Sequence, residues 1–151
     1  MILWVHVLCG VVWIGACATF ILGASASARE SAESHAWSFG IVQRINRLCV
    51  PLAVAIPVTG SGNLFFAARA RGSALPPEFI GIVGAKIALF AVMAASLAVA
   101  WRRAPKFGEL MPTRICHSTA TSAIRTVITS YAVIVAAGIA ALGLGLWLSG
   151  T

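Results

Sequence analysis

The chain contains no aspartate, and its 151 residues include only four glutamates against eleven lysines and arginines. Charged residues make up 10% of the sequence, whereas a soluble domain of this size carries about 25%. Too few polar side chains are therefore present to cover a water-facing surface. This shortage excludes an ordinary soluble globular protein. A hydrophobic content of 60% and a mean hydropathy of +0.94 favour a protein embedded in lipid.

Cysteine patterns and a contiguous basic surface are lacking as well. The four cysteines show no CxxC or metal-finger spacing, so the sequence predicts neither a disulfide framework nor a structural zinc site. Cys9 and Cys17 lie in an apolar run and are interpreted as small helix-packing residues. The net charge of +7 is spread over short connections, whereas a nucleic-acid site needs one basic face. No nucleic-acid partner is therefore expected.

Four apolar segments divide the chain, each near the roughly 20 residues that span a hydrocarbon core. They cover about residues 2–23, 48–68, 79–101 and 126–149. The sequence therefore predicts an all-α membrane protein, a four-transmembrane-helix bundle in which residues 1–151 form a single domain with the lipid bilayer as its partner. The first segment is interpreted as a retained helix, because no small-residue cleavage site of a signal peptide follows it.

Basic residues are distributed unequally between the two sides of this bundle. The first and third connections share one side and hold eight of them: Arg29, Arg44, Arg47, Arg102, Arg103, Lys106, Arg114 and Arg125. The opposite side holds Arg69 and Arg71. By the positive-inside rule, both termini face the outer (periplasmic) side and the longer connections face the cytoplasm. The predicted location is the bacterial inner (plasma) membrane, which the chain crosses several times.

Prolines and glycines indicate how two of the helices are shaped. Pro51 and Pro57 lie within the second segment and predict a bent helix, either for packing or to make room for a ligand. The preceding stretch, WSFGIVQRINRL, predicts an interfacial helix that leads into this span. Gly138, Gly143 and Gly145 give the fourth segment a close-packing surface.

Two ionisable residues lie inside the apolar segments, His6 in the first and Lys86 in the third. Such groups are costly in lipid and usually face protein or a cavity. Both helices enter from the same side, so at 1.5 Å per residue His6 lies about 6 Å deep and Lys86 about 10 Å deep. The C-terminal halves of the other two helices reach the same layer. Their polar and aromatic residues there are Thr59, Ser61, Asn63 and Trp147.

His6 and Lys86 each allow more than one interpretation. A histidine in an apolar helix, with Trp13 one to two turns away, suits axial ligation of haem, and the alternative is an interhelical hydrogen bond or an interfacial histidine. Cys9 and Cys17 share its helical face. Lys86 can snorkel to the surface or pair with an anionic ligand such as a porphyrin propionate or a lipid phosphate.

Three stretches carry a resemblance to a known family. WVHVLCGVVWIGACATF has a histidine and then a tryptophan followed by small residues, and QRINRLCVPLAVAIPVTGSGNLFF has an arginine-containing entry and a TG step. GAKIALFAVMAASLAVAWRRAP has an intramembrane lysine and a basic exit before proline. These patterns resemble the core helices of the CopD-like membrane proteins, which include HemJ-type protoporphyrinogen oxidases.

The resemblance implies a haem b or porphyrin site built around His6 and Lys86, or the passage of copper. After its first helix the chain reads ILGASASARES, where the HemJ type has an aromatic segment with arginine and histidine. The resemblance therefore leaves porphyrin oxidation open beside electron transfer.

The leading hypothesis is a haem b-binding membrane protein with a redox role, in electron transfer or in porphyrin oxidation. His6 is the predicted metal ligand. Trp13, Thr59 and Asn63 are predicted to line the cofactor site. Lys86 is predicted to pair with a propionate or to act as the catalytic group on a porphyrin substrate.

Two alternatives come from other classes of protein. Copper transport would use His6, Cys9 and Cys17 as a ladder along one helix face. A small accessory subunit of a larger membrane complex would need no catalysis, and its polar layer would hold lipid or a neighbouring chain. The expected assembly is a homo-oligomer or a subunit of a larger complex.

Overall fold

The structure is a computed structural model that describes the backbone of residues 2–27, 32–70, 76–103 and 117–150, and the side chains of 2–24, 41–70, 76–103, 122 and 124–147. It contains four α-helices: α1 (Ile2–Ser27), α2 (Ala32–Ala70), α3 (Pro77–Arg103) and α4 (His117–Gly150). All four are long and apolar enough to cross a membrane. The described part is thus all-helical, as predicted, and forms a four-helix bundle. The basic residues Arg29, Arg71, Lys106 and Arg114 lie outside the described residues.

The helices extend beyond the apolar segments that predict them. The second begins at Ala32 and not near residue 48, so the stretch predicted as an interfacial helix is the first part of α2. The fourth begins at His117 and not near residue 126. A helix satisfies its own backbone hydrogen bonds, so its backbone can continue where the apolar run has already ended.

The two interior prolines do not end α2. Pro51 and Pro57 both lie inside the helix, although each lacks the N–H of a helical hydrogen bond. Hydroxyls just after the second proline bond to the preceding turn. Thr59 donates to the Ala55 carbonyl at 2.6 Å, and Ser61 donates to the Pro57 carbonyl at 2.7 Å. These bonds hold both hydroxyls against their own helix.

The helices follow one another around the bundle, and each runs antiparallel to its neighbours. The α1 helix packs against α2 and α4, the α3 helix packs mainly against α4, and the contact between α2 and α3 is small. The starts of α1 and α3 therefore lie together with the ends of α2 and α4. We call this the terminal end of the bundle, since Ile2 and Gly150 both lie there.

The hydrophobic core lies farther from the terminal end and is built on aromatic contacts. The Trp13 ring meets Phe90 edge to face with centroids 6.2 Å apart, and Phe20 meets Tyr131 in the same way at 5.2 Å. The Tyr131 hydroxyl donates to Asn46 Oδ1 at 2.9 Å, and both side chains are buried. This hydrogen bond joins α2 to α4 within an otherwise apolar core.

One of the three predicted packing glycines brings α4 close to α1. A Cβ at Gly138 would lie 2.5 and 2.6 Å from Cγ1 and Cδ1 of Ile14, which is inside van der Waals contact. Nothing lies within 4 Å of a Cβ at Gly143. Gly138 is therefore the position where the missing side chain sets the distance between the helices.

Candidate functional site

The His6 imidazole on α1 is held by α2 through its Nδ1 atom. Nδ1 lies 3.1 Å from the Ile56 carbonyl oxygen and 3.0 Å from Thr59 Oγ1. A carbonyl can only accept, so Nδ1 carries the proton. The Thr59 hydroxyl donates to Ala55 and so accepts from the imidazole. In this tautomer Nε2 keeps a lone pair, and no described residue hydrogen-bonds to it.

A glycine on α2 makes room for this ring. A Cβ at Gly60 would lie 3.1 Å from His6 Cε1 and 3.6 Å from His6 Nδ1. The first distance is tighter than most contacts that a real Cβ makes. Two hydrogen bonds and one missing side chain therefore fix the position of the imidazole between α1 and α2.

Lys86 on α3 has a similar relation to α4. A Cβ at Gly145 would lie 3.1 Å from its Nζ atom, so the ammonium lies against a helix surface without a side chain. Lys86 lies within about one helical turn of His6 in depth, because both helices enter from the same side. Glu78 is the sole acidic side chain in the described part of the chain, and it lies about 12 Å nearer the start of α3.

Asn63 adds an unsatisfied donor to this layer. It follows Thr59 by one helical turn and thus lies on the same side of α2. Its side-chain Nδ2 is buried and has no hydrogen-bond partner among the described residues. Leaving such a donor unpaired costs about 1–3 kcal/mol. A bound acceptor at this position would remove that cost.

We call the four side chains at this depth the polar cluster: His6 and Thr59, which are hydrogen-bonded to each other, with Asn63 and Lys86. No family model, curated protein or solved structure matches this chain. The chemistry of the cluster is therefore argued from its own atoms. A neutral imidazole nitrogen, an amide donor and an ammonium suit a ligand that combines a metal centre with an anionic group.

The other residues predicted for this layer or for the cofactor site do not face the polar cluster. Trp13 is fully buried in the core, about 10 Å farther along α1 than His6. Its Nε1 atom also lacks a partner among the described residues. Ser61 is exposed and bonds to its own helix, and Trp147 is 71% exposed. Ser61 and Trp147 share the depth of the polar cluster but lie on outward faces of their helices.

The cysteines proposed for a copper ladder do not cluster with His6. No group of three or more histidine, cysteine or acidic side chains occurs in the described part of the chain. Cys9 is half-buried, and the fully buried Cys17 lies against Cys49 of α2. Cys116 and the side chains of His35 and His117 lie outside the described residues.

Sequence reasoning missed the part that two glycines play. Gly145 is predicted to serve helix packing alone, and Gly60 enters the sequence analysis only as part of the TG step of the second stretch. In the structure, each faces one of the two ionisable residues of the membrane layer. The position of each glycine along its helix could have indicated this role, because each glycine lies at the depth of the side chain that it accommodates.

Proposed function

We propose that this chain is a haem b-binding integral membrane protein with a redox role, in electron transfer or in porphyrin oxidation. His6 is its axial iron ligand. Lys86 pairs with a haem propionate, or with the carboxylate of a porphyrin substrate in the oxidase form of the proposal. The polar cluster at the terminal end of the bundle is the site.

The hydrogen bonding of His6 is the observation that carries this proposal. Metal-ligating histidines almost always donate their other ring N–H to a carbonyl, carboxylate or water, which fixes the tautomer and the ring orientation. His6 makes this bond through Nδ1 to Ile56, with Thr59 as a second acceptor. The interhelical hydrogen bond given as the alternative for His6 is therefore present, and iron ligation would add a bond at Nε2.

The remaining groups of the polar cluster fit a porphyrin. Propionates are carboxylates, which pair with an ammonium such as Lys86 and accept hydrogen bonds from an amide such as Asn63 Nδ2. The unpaired state of that amide supports a ligand with an acceptor group. When bound, haem b supplies one-electron chemistry. His6 would orient the iron, and Lys86 and Asn63 would hold the anionic edge.

The chain contributes one axial ligand in this proposal. His6 is the one histidine within the four apolar segments, so the sixth iron position would be open, or would be filled by a weaker ligand or by another subunit. A ligand from another subunit has support from α2, which is the least buried of the four candidate spans. Its exposed Val54, Val58, Phe65 and Phe66 offer a face to lipid or to a partner. A homo-oligomer or a larger complex is the proposed assembly.

The proposed setting is the bacterial inner membrane, with both termini on the periplasmic side. Large apolar side chains are exposed on all four helices, which suits contact with lipid. The end of the bundle opposite the terminal end carries exposed Arg102, Arg103 and Arg125, and basic residues favour the cytoplasmic side. The haem would then lie in the outer leaflet.

A reduced-minus-oxidised visible spectrum of the haem-reconstituted protein tests the proposal. The wild type is expected to show a b-type band, and His6→Ala is expected to lose it. His117→Ala is the matched control, because it removes a histidine outside the four apolar segments. Added imidazole should restore part of the band to His6→Ala.

A folded protein without the band would overturn the haem proposal. Metal analysis of the same preparation would then test for copper, and the particle size after mild detergent extraction would test for an accessory subunit. A band that persists in His6→Ala but vanishes in His117→Ala would keep haem binding and refute the assignment of the ligand.

A further inference from the structure

A groove of about 460 Å³ lies between α3 and α4, far from the polar cluster. It falls within the range of about 300–1,000 Å³ that small-molecule sites occupy. Its α4 wall runs from Ser122 to Val133, eleven residue steps or about 16 Å along the helix at 1.5 Å per residue. This is close to the hydrocarbon depth of one leaflet, about 15 Å. The groove therefore runs from one membrane boundary towards the centre of the bundle.

The polarity of the lining changes along this length. Arg125 and Thr126 lie at the boundary end, where the apolar span of α4 begins. Ala95 and Val133 lie at the deep end. An occupant that matches both ends is charged at the boundary and apolar within the bilayer.

The boundary end is strongly cationic. Arg102 and Arg103 form the last turn of α3, and since α3 and α4 are antiparallel, both lie near the level of Arg125. All three are exposed. Glu78, the one glutamate whose side chain is described, lies at the start of α3 and thus at the other end of the bundle. The head group that complements this end is an anion.

Two serine hydroxyls line the inner part of the groove. Ser96 of α3 and Ser130 of α4 face it, and neither hydroxyl makes a hydrogen bond to another described residue. Thr126 differs, because its hydroxyl donates to the Ser122 carbonyl at 3.0 Å. Ser130 lies about 7.5 Å from Arg125 along α4, a depth that suits an ester oxygen of a glycerolipid, whereas Ser96 lies beside Ala95 at the deep end.

We propose that this groove binds one anionic phospholipid, with the phosphate at Arg125 and one acyl chain between α3 and α4 as far as Val133. Ser130 donates to one of its ester oxygens. This site is separate from the polar cluster and independent of haem, because the two lie at opposite ends of the bundle.

Native mass spectrometry of the full chain in detergent, titrated with phosphatidylglycerol or phosphatidylcholine, tests the proposal. One basic side chain near a membrane surface is worth enough to make binding of phosphatidylglycerol by Arg125→Gln about fivefold weaker than by the wild type. Phosphatidylcholine binding should change much less. Arg69→Gln is the matched control, because Arg69 is also an exposed arginine, at the terminal end, and it should bind phosphatidylglycerol as the wild type does.

A second variant separates a lipid from a free phosphate. Val133→Trp fills the deep end of the groove and leaves Arg125 in place, so it should reduce phosphatidylglycerol binding without removing a charge. Val133 is 39% exposed, and the larger side chain need not disturb the fold. Three results would overturn the proposal: equal losses in Arg125→Gln and Arg69→Gln, unchanged binding in Val133→Trp, or displacement of phosphatidylglycerol by inorganic phosphate alone.

Discussion

Replacing Gly138 with alanine probes the closest approach between α1 and α4. The new Cβ would lie 2.5 Å from Ile14 Cγ1 and 2.6 Å from its Cδ1, so one helix or the isoleucine must move by about 1 Å to restore an ordinary contact of about 3.5–4.0 Å. Overpacking of this kind costs about 1–3 kcal/mol. The loss of glycine itself favours the helix by about 0.5–1 kcal/mol.

Gly143→Ala is the control that separates these two effects. A Cβ at that position meets nothing within 4 Å, so this variant should show the helix gain alone. Unfolding of the purified protein with a denaturing detergent, followed by circular dichroism, gives the free energy of unfolding of each variant. We expect Gly138→Ala to be less stable than Gly143→Ala by about 1–3 kcal/mol.

A double substitution shows whether Ile14 is the cause. Ile14→Ala removes both atoms that the new Cβ would meet, so Gly138→Ala should cost less in that background than in the wild type. Equal stability of the two glycine variants, or a cost that Ile14→Ala leaves unchanged, would show that the close approach of the helices at Gly138 is not what limits this position.

Two further changes test the core and the candidate site. Tyr131→Phe leaves the buried Asn46 Oδ1 without its donor, and the free energy of unfolding should fall by about 1–3 kcal/mol; unchanged stability would mean that this acceptor is satisfied in another way. Gly60→Ala should weaken haem retention more than Gly145→Ala, measured as the b-type band after detergent washing. At Gly60 the added Cβ meets the hydrogen-bonded ring of His6, whereas at Gly145 it meets the far end of a flexible side chain. Equal retention in the two variants would contradict this account of the ring.

The four helices could be predicted from the sequence because each contains an apolar run long enough for a bilayer. Their ends could not be predicted in the same way. Hydropathy reports where the side chains stop matching lipid, whereas a helix ends where its backbone hydrogen bonds end. The α2 and α4 helices therefore begin well before their apolar runs, at Ala32 and His117.

The depth of the site residues was accessible from the sequence, but their direction around each helix was not. The rise per residue and the alternating direction of the helices put His6, Thr59 and Lys86 in one layer. The same calculation of depth also puts Trp147 in this layer, although its side chain is 71% exposed and faces away from the site. Which face a helix turns inward depends on how its neighbours pack, and this also explains why Gly145 could be predicted as a packing residue but not as the neighbour of Lys86.

The two glycine contacts at the site have a consequence for how the chain enters a membrane. His6 of α1 meets Gly60 of α2, and Lys86 of α3 meets Gly145 of α4, so each polar side chain is sheltered by the helix that follows it in the chain. An ionisable side chain is costly for a helix that inserts alone. In the hairpins α1–α2 and α3–α4, the second helix covers the ionisable side chain of the first. The two hairpins can therefore enter the bilayer one after the other during synthesis, before they pack together.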